Sequence, residues 1–393
     1  GITSFHAFVT SNNKRIFMSP IIGLNIFRAV AVIMMIIAHS IRIQSNFSFL
    51  LKHPDKQSFW DQCLLFFIQI EPIISAQFLF ISGFSLTLSL SKVLKAPPSI
   101  SKRQWLLSLP PKLILLYLVS VVFFIGDNGI QLPDLLVSSG ILSIIAISMA
   151  LTGCMLISPK PMITLSLAVT GVTLAAYILE QSKINIIGLN AGAGGAIPLI
   201  SMTFIGAIIG ILYQRFHNNG LFAAAAVGCF IGLLSITSQY PWTVDVKSEF
   251  LLFYGDPVTA VLHSIQHALG IGDIQPTKIK AHFWNHSSIF LFRVSGGLTL
   301  VLLILMLAFK NQSNSSKVIH VFNNIGEHAL FVYIFHLVLL GVLEVTGIKP
   351  TTGWQTWLLV ILLVLLGATI IQLHDKSGGV RRKILDSFDP GTQ

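Results

Sequence analysis

The most constraining feature of this chain is its long uninterrupted apolar runs. Residues 24–40 read LNIFRAVAVIMMIIAHS, and 355–373 read QTWLLVILLVLLGATIIQL. About 20 apolar residues in helical geometry cross a hydrocarbon layer of about 30 Å. A transmembrane barrel would instead need segments of roughly 10 residues with period-two alternation, and these runs do not alternate. Composition supports the same reading. The chain of 393 residues is 53% hydrophobic and only 10% charged, whereas soluble domains carry about 25% charge. So few charges cannot cover a water-exposed surface, and so apolar a chain is not disordered. The expected fold is all-α, a single polytopic integral membrane domain over 1–393.

Ten spans are expected, at 20–41, 64–90, 105–125, 134–157, 162–180, 197–213, 220–238, 288–309, 328–347 and 355–373. The first is preceded by Lys14 and Arg15 and is too long for a cleaved signal sequence, so it reads as an anchor. With a cytoplasmic amino terminus, inside segments hold 14 of the 25 Lys and Arg residues and outside segments hold 8. The 91–104 turn has four positive residues and 126–133 has none. The positive-inside rule therefore expects both termini in the cytoplasm. Residues 374–393 then form a basic cytoplasmic tail, and 239–287 an extracytoplasmic loop. A multi-pass plasma (inner) membrane location of bacterial type is expected.

The net charge of +10 is mostly topogenic, and no basic block carries interleaved aromatics, so no nucleic-acid partner is expected. Cys63, Cys154 and Cys229 stand far apart without CxxC spacing. His263/His267 and His282/His286 have helical i,i+4 spacing, but no third ligand accompanies either pair, so no metal is expected. The Gly-rich stretch 188–195 is followed by no GK[ST] and reads as a turn. No internal repeat of the transporter kind is visible.

Ionisable residues inside spans are costly and mark candidate sites. Arg28 and His39 lie 11 residues apart, which is 1100° of helical rotation, so they share one stripe within about 20°. Their axial separation is roughly 16 Å. Arg28 lies about eight residues into the span, deep for a side chain reaching to lipid phosphates. Glu71, ahead of Pro72, lies at the depth of His39. Lys102, Arg103 and Lys112 surround an inner entrance, where topogenic charge or a phosphate-bearing ligand would use the same cations. Tyr333 and His336 occupy the middle of the ninth span, with Glu327 and His328 at its inner end.

These segments together resemble a known family. LNIFRAVAVIMMIIAHS is similar to the Arg-x10-His first helix of the transmembrane acyltransferases of the acyltransferase-3 superfamily. QFLFISGFSLTLSLSK (77–92) resembles its second-helix SGF segment, KRQWLLSLPPKLILLYL (102–118) its basic third-helix start, and IGEHALFVYIFHLVLL (325–340) its late helix with Tyr and His. The SGFSLTLS run and Met34–Met35 look closest to bacterial relatives of the heparan-α-glucosaminide N-acetyltransferase type. The resemblance implies an enzyme that takes an acyl group, in the first place acetyl, from cytoplasmic acyl-CoA. The acceptor would be an extracytoplasmic glycan or glycolipid hydroxyl or amine.

On that reading His39 is the general base or a transient acyl carrier, because a histidine of ordinary pKa about 6.5 suits proton transfer. Glu71 orients it. Arg28, Arg103 and Lys112 hold the acetyl-CoA donor from the inner side, and Tyr333 and His336 contact the substrate. A pantetheine arm of about 12 bonded atoms reaches on the order of 15–20 Å, which matches the Arg28–His39 gap. A transporter or flippase of a lipid-linked sugar would use the same intramembrane charges. It would show flux without dependence on acyl-CoA.

Overall fold

The computed structural model describes residues 22–53, 56–69, 71–95, 101–128, 134–137, 139–182, 188–190, 196–237, 253–254, 280–281, 288–310 and 316–387, with the single positions 130, 132, 184 and 186. The chain is an all-α polytopic membrane protein. Among the described residues, six helical stretches are long and apolar enough to cross a membrane: Ile22–Arg42, Ile73–Lys95, Lys102–Gly126, Pro161–Leu179, Ala329–Thr346 and Gly353–His374. Two shorter apolar helices, Ile141–Leu156 and Val294–Ala308, stand beside them.

Helix α1 (Ile22–Arg42) leads into the short α2 (Phe47–Lys52). The expected span 64–90 is covered by α3 (Phe59–Gln69) and α4 (Glu71–Lys95), with residue 70 outside the described residues. Pro72 is the second residue of α4. It has no N–H for the ladder of a preceding helix but is tolerated in the first turn of a new one. Helix α5 (Lys102–Leu107) opens on a capping box between Ser101 and Gln104, and α6 (Pro110–Asn128) starts at a proline pair. Then come α7 (Asp134–Val137), α8 (Ile141–Leu156) and α9 (Pro161–Ser182).

Helix α10 (Ser201–Thr237) contains the two expected spans 197–213 and 220–238, separated by non-helical backbone at His217, with φ 51°. It is followed by α11 (Ser288–Ala308), α12 (Lys317–Glu327), α13 (Ala329–Thr346) and α14 (Gly353–Ser387). Helix α12 is too polar to have been read as a span, and α14 runs without a break into the expected 374–393 tail. Of the 239–287 loop, the described part is a two-residue antiparallel pair, β1 (Phe253–Tyr254) and β2 (Lys280–Ala281). The paired histidines 263/267 and 282/286 lie outside the described residues, as does 191–195 of the Gly-rich stretch.

Helix α1 is the centre of the bundle, in contact with α3, α4, α11, α12, α13 and α14. Phe27, Val32, Ile36 and Ile41 are fully buried in it. Apolar residues such as Leu115, Leu118 and Val122 of α6 and Ile361, Leu362 and Leu365 of α14 remain exposed, as a lipid-facing surface requires. Lipid is as apolar as leucine, so helices join in it mainly through close packing. The α4–α10 crossing shows this. A Cβ at Gly83 would collide with the Thr203 backbone, and one at Gly206 with the Phe80 backbone. The SGF segment is thus a backbone-to-backbone contact. Helix α12 meets α1 the same way, Gly326 lying on the Asn25 backbone.

Candidate functional site

Helices α1 and α4 run antiparallel and are joined by polar contacts at both ends. Near one end, Arg28 donates from Nη2 to Ser85 Oγ at 2.6 Å and from Nη1 to Asn25 Oδ1 at 3.0 Å. Near the other, Arg42 pairs with Glu71. The spacing from 28 to 42 equals that from 71 to 85, fourteen residues. Fourteen residues are close to four helical turns and about 21 Å, so each helix presents both contacts on one face. Gln77 of α4 donates from Nε2 to the carbonyl of Phe27, next to Arg28 on α1, at 3.0 Å.

The end formed by Arg42 and Glu71 gathers four of the residues singled out in the sequence. His39 Nε2 stands 3.9 Å from Glu71 Oε1. A 3.0 Å hydrogen bond joins His39 Nδ1 and His336 Nε2. The two imidazole planes lie 17° from parallel, with centroids 5.3 Å apart. Tyr333 meets His336 edge-on at 5.3 Å and His39 at 6.3 Å, and Phe78 closes behind it at 5.7 Å. His336 is 0% exposed and Glu71 1%, while the Arg42 side chain keeps 37% of its exposure. Glu71 also occupies the first turn of α4, where the helix dipole favours an anion. Ser40 and Ser75 are fully buried, and their hydroxyls have no hydrogen-bond partner among the described residues.

Arg28 belongs to the opposite end of α1. Its partner Asn25 receives further support from Asn323 of α12, with Asn25 Nδ2 donating to Asn323 Oδ1 at 3.0 Å. Glu327 is its principal charged neighbour. Arg103 and Lys112 are exposed on α5 and α6, and neither shares a hydrogen bond or ion pair with Arg28 among the described residues. Their region is nonetheless tied to α4: Trp105 Nε1 donates to Ser89 Oγ at 3.3 Å, one turn beyond Ser85. Among the described residues, no group of three or more His, Cys, Asp or Glu side chains could hold a metal ion.

Arg42, which was not among the candidate residues of the sequence, pairs with the buried Glu71. The signal was present, since it lies three residues after His39 and one face of a helix repeats at three and four. Ser85, Ser40 and Ser75 were also missed, because single serines in apolar helices carry no pattern.

A chemically coherent group therefore lies at one end of α1, with a titratable nitrogen beside a carboxylate and two unpartnered hydroxyls in the same helices. A cation with neutral polar partners lies roughly 16 Å away at the other end. A search of curated proteins finds no match to the chain. Residues 21–240 match the family described as "Heparan-alpha-glucosaminide N-acetyltransferase, catalytic", and that stretch contains Arg28, His39, Arg42, Glu71 and Ser85. It covers more than half of the chain, which therefore belongs to this family of membrane acetyltransferases.

Proposed function

We propose that the chain transfers acetyl from cytoplasmic acetyl-CoA to the amine of an extracytoplasmic glycan or glycolipid in a bacterial inner membrane, within the wider acyltransferase-3 superfamily. The observation that carries this reading is His39, held between His336 and Glu71 at one end of α1. With Nε2 as the base, His39 takes a proton from the acceptor nitrogen as that nitrogen attacks the thioester carbonyl. The C–S bond then breaks, CoA thiolate leaves and takes up a proton, and an amide remains.

The pair of acceptors favours an amine over a hydroxyl. His39 Nε2 and Glu71 Oε1 are two acceptors 3.9 Å apart. A primary amine has two N–H groups and satisfies both, whereas a hydroxyl has one. The unpartnered hydroxyls of Ser40, next to His39, and Ser75, one turn after Glu71, would be donors for the carbonyl oxygen as it gains charge. Arg28, with Arg103 and Lys112 beyond it, would hold the donor's polar arm and phosphates. The cations Lys92, Lys95, Lys102 and Arg103 cluster where α4 ends and α5 begins, which supports that end as cytoplasmic. Tyr333 would line the acceptor side.

The test is acetyl transfer by purified His39→Ala with glucosamine-type amine acceptors. Transfer falls by about 1000-fold or more while acetyl-CoA still raises the melting temperature, as a ligand of the folded state must. Transfer at the wild-type rate would refute the reading.

A further inference from the structure

We infer that His336 is a positioning residue that fixes which nitrogen of His39 carries the proton, and so makes Nε2 the base. The inference rests on the reading of His39 as general base. It starts from a carbonyl. His336 Nδ1 lies 3.2 Å from the Val332 oxygen, one helical turn back. A carbonyl oxygen only accepts, so Nδ1 of His336 carries the hydrogen. A neutral imidazole has one N–H and one lone pair, which leaves His336 Nε2 as an acceptor. Its partner at 3.0 Å is His39 Nδ1, which must therefore donate. The same count applied to His39 leaves its lone pair on Nε2, the nitrogen that faces Glu71 Oε1.

The chain of donors runs in one direction, from His39 through His336 to the α13 backbone. It ends at a group that cannot reverse its role. Both nitrogens of His336 are thereby engaged by protein, which distinguishes it from a substrate ligand. Burial keeps water from competing, since His336 is 0% exposed. The ring planes lie 17° from parallel, as an in-plane bond between them requires, and the edge of Tyr333 packs against His336. Glu71 does not set the tautomer. At 3.9 Å it lies beyond hydrogen-bond length, and its other oxygen is held by Arg42.

The experiment combines nitrogen NMR of ¹⁵N-histidine-labelled protein in detergent with steady-state kinetics. The His39 signals are identified by their loss in His39→Gln. In wild type, His39 Nδ1 is protonated and Nε2 has the shift of a bare ring nitrogen. His336→Gln keeps an acceptor near the position of Nε2, retains that pattern and keeps kcat within about 10-fold. His336→Leu removes the acceptor, mixes the tautomers and lowers kcat by about 100-fold or more. It leaves the KM for acetyl-CoA within about threefold, in line with the large kcat losses seen when a catalytic histidine loses its orienting partner. A wild-type spectrum with Nε2 protonated overturns the inference even if His336→Leu fails to fold. So does a His336→Leu enzyme with wild-type kcat and an unchanged tautomer. If the tautomer is as stated but His39→Ala still transfers acetyl, the orienting chain stands and the base assignment falls.

Discussion

Removing Arg42 separates the ion pair from the fold around it. Glu71 is 1% exposed and sits against Arg42, whose side chain keeps 37% of its exposure. In Arg42→Met the carboxylate either remains charged without its partner or takes up a proton. The second route limits the cost. Protonating an ordinary glutamate of pKa about 4.3 at pH 7 costs about 3.7 kcal/mol, at 1.36 kcal/mol per unit. Solvent already screens the exposed guanidinium, so the pair is worth less than a fully buried one. We expect Arg42→Met to lose about 2–3.5 kcal/mol. Glu71→Gln returns Arg42 to water and keeps an amide in place, at a cost of about 1 kcal/mol. The double variant has no uncompensated charge and loses about 1–1.5 kcal/mol. The two single costs therefore exceed the double by about 2–3 kcal/mol. Titration with SDS in mixed micelles, followed by tryptophan fluorescence, measures all four proteins. Effects that add within about 0.5 kcal/mol would refute the ion pair as a coupled unit.

Other perturbations separate packing from chemistry. Arg28→Lys cannot reach Asn25 and Ser85 together, so the KM for acetyl-CoA should rise about 10-fold while kcat stays within threefold; an unchanged KM would remove Arg28 from donor binding. Gly206→Val drives a side chain into the Phe80 backbone and should cost about 3 kcal/mol or more. Gly297→Ala meets nothing within 4 Å and should gain about 0.5 kcal/mol; both are read by the same SDS titration. Ser75→Ala removes a buried hydroxyl without a partner, so the fold should keep or gain stability while kcat falls about 10-fold. A neutral kcat would exclude Ser75 from the reaction.

The membrane helices were largely legible in the sequence because lipid imposes a strict rule on backbone polar groups, and apolar runs report it directly. Arg28, His39 and Glu71 stood out because charge there is expensive. What escaped depended on partnership. His39 and His336 are 297 residues apart, and nothing in either segment names the other. Arg42 lay at the end of an apolar run, where topogenic arginines are ordinary. Helix α12 is amphipathic, and its attachment through Asn323 and Gly326 is visible only once α1 is beside it.

Arg28, His39 and Arg42 all project from α1, whereas Ser85 and Glu71 come from α4, and Tyr333 and His336 from α13. Any strain that displaces α1 carries its three groups together, so the distance between Arg28 and His39 is conserved under deformation. The opposing walls enjoy no such protection and can drift separately. On the proposed function, changes in α4 and α13 would alter the partners of His39 while leaving its spacing to Arg28 untouched.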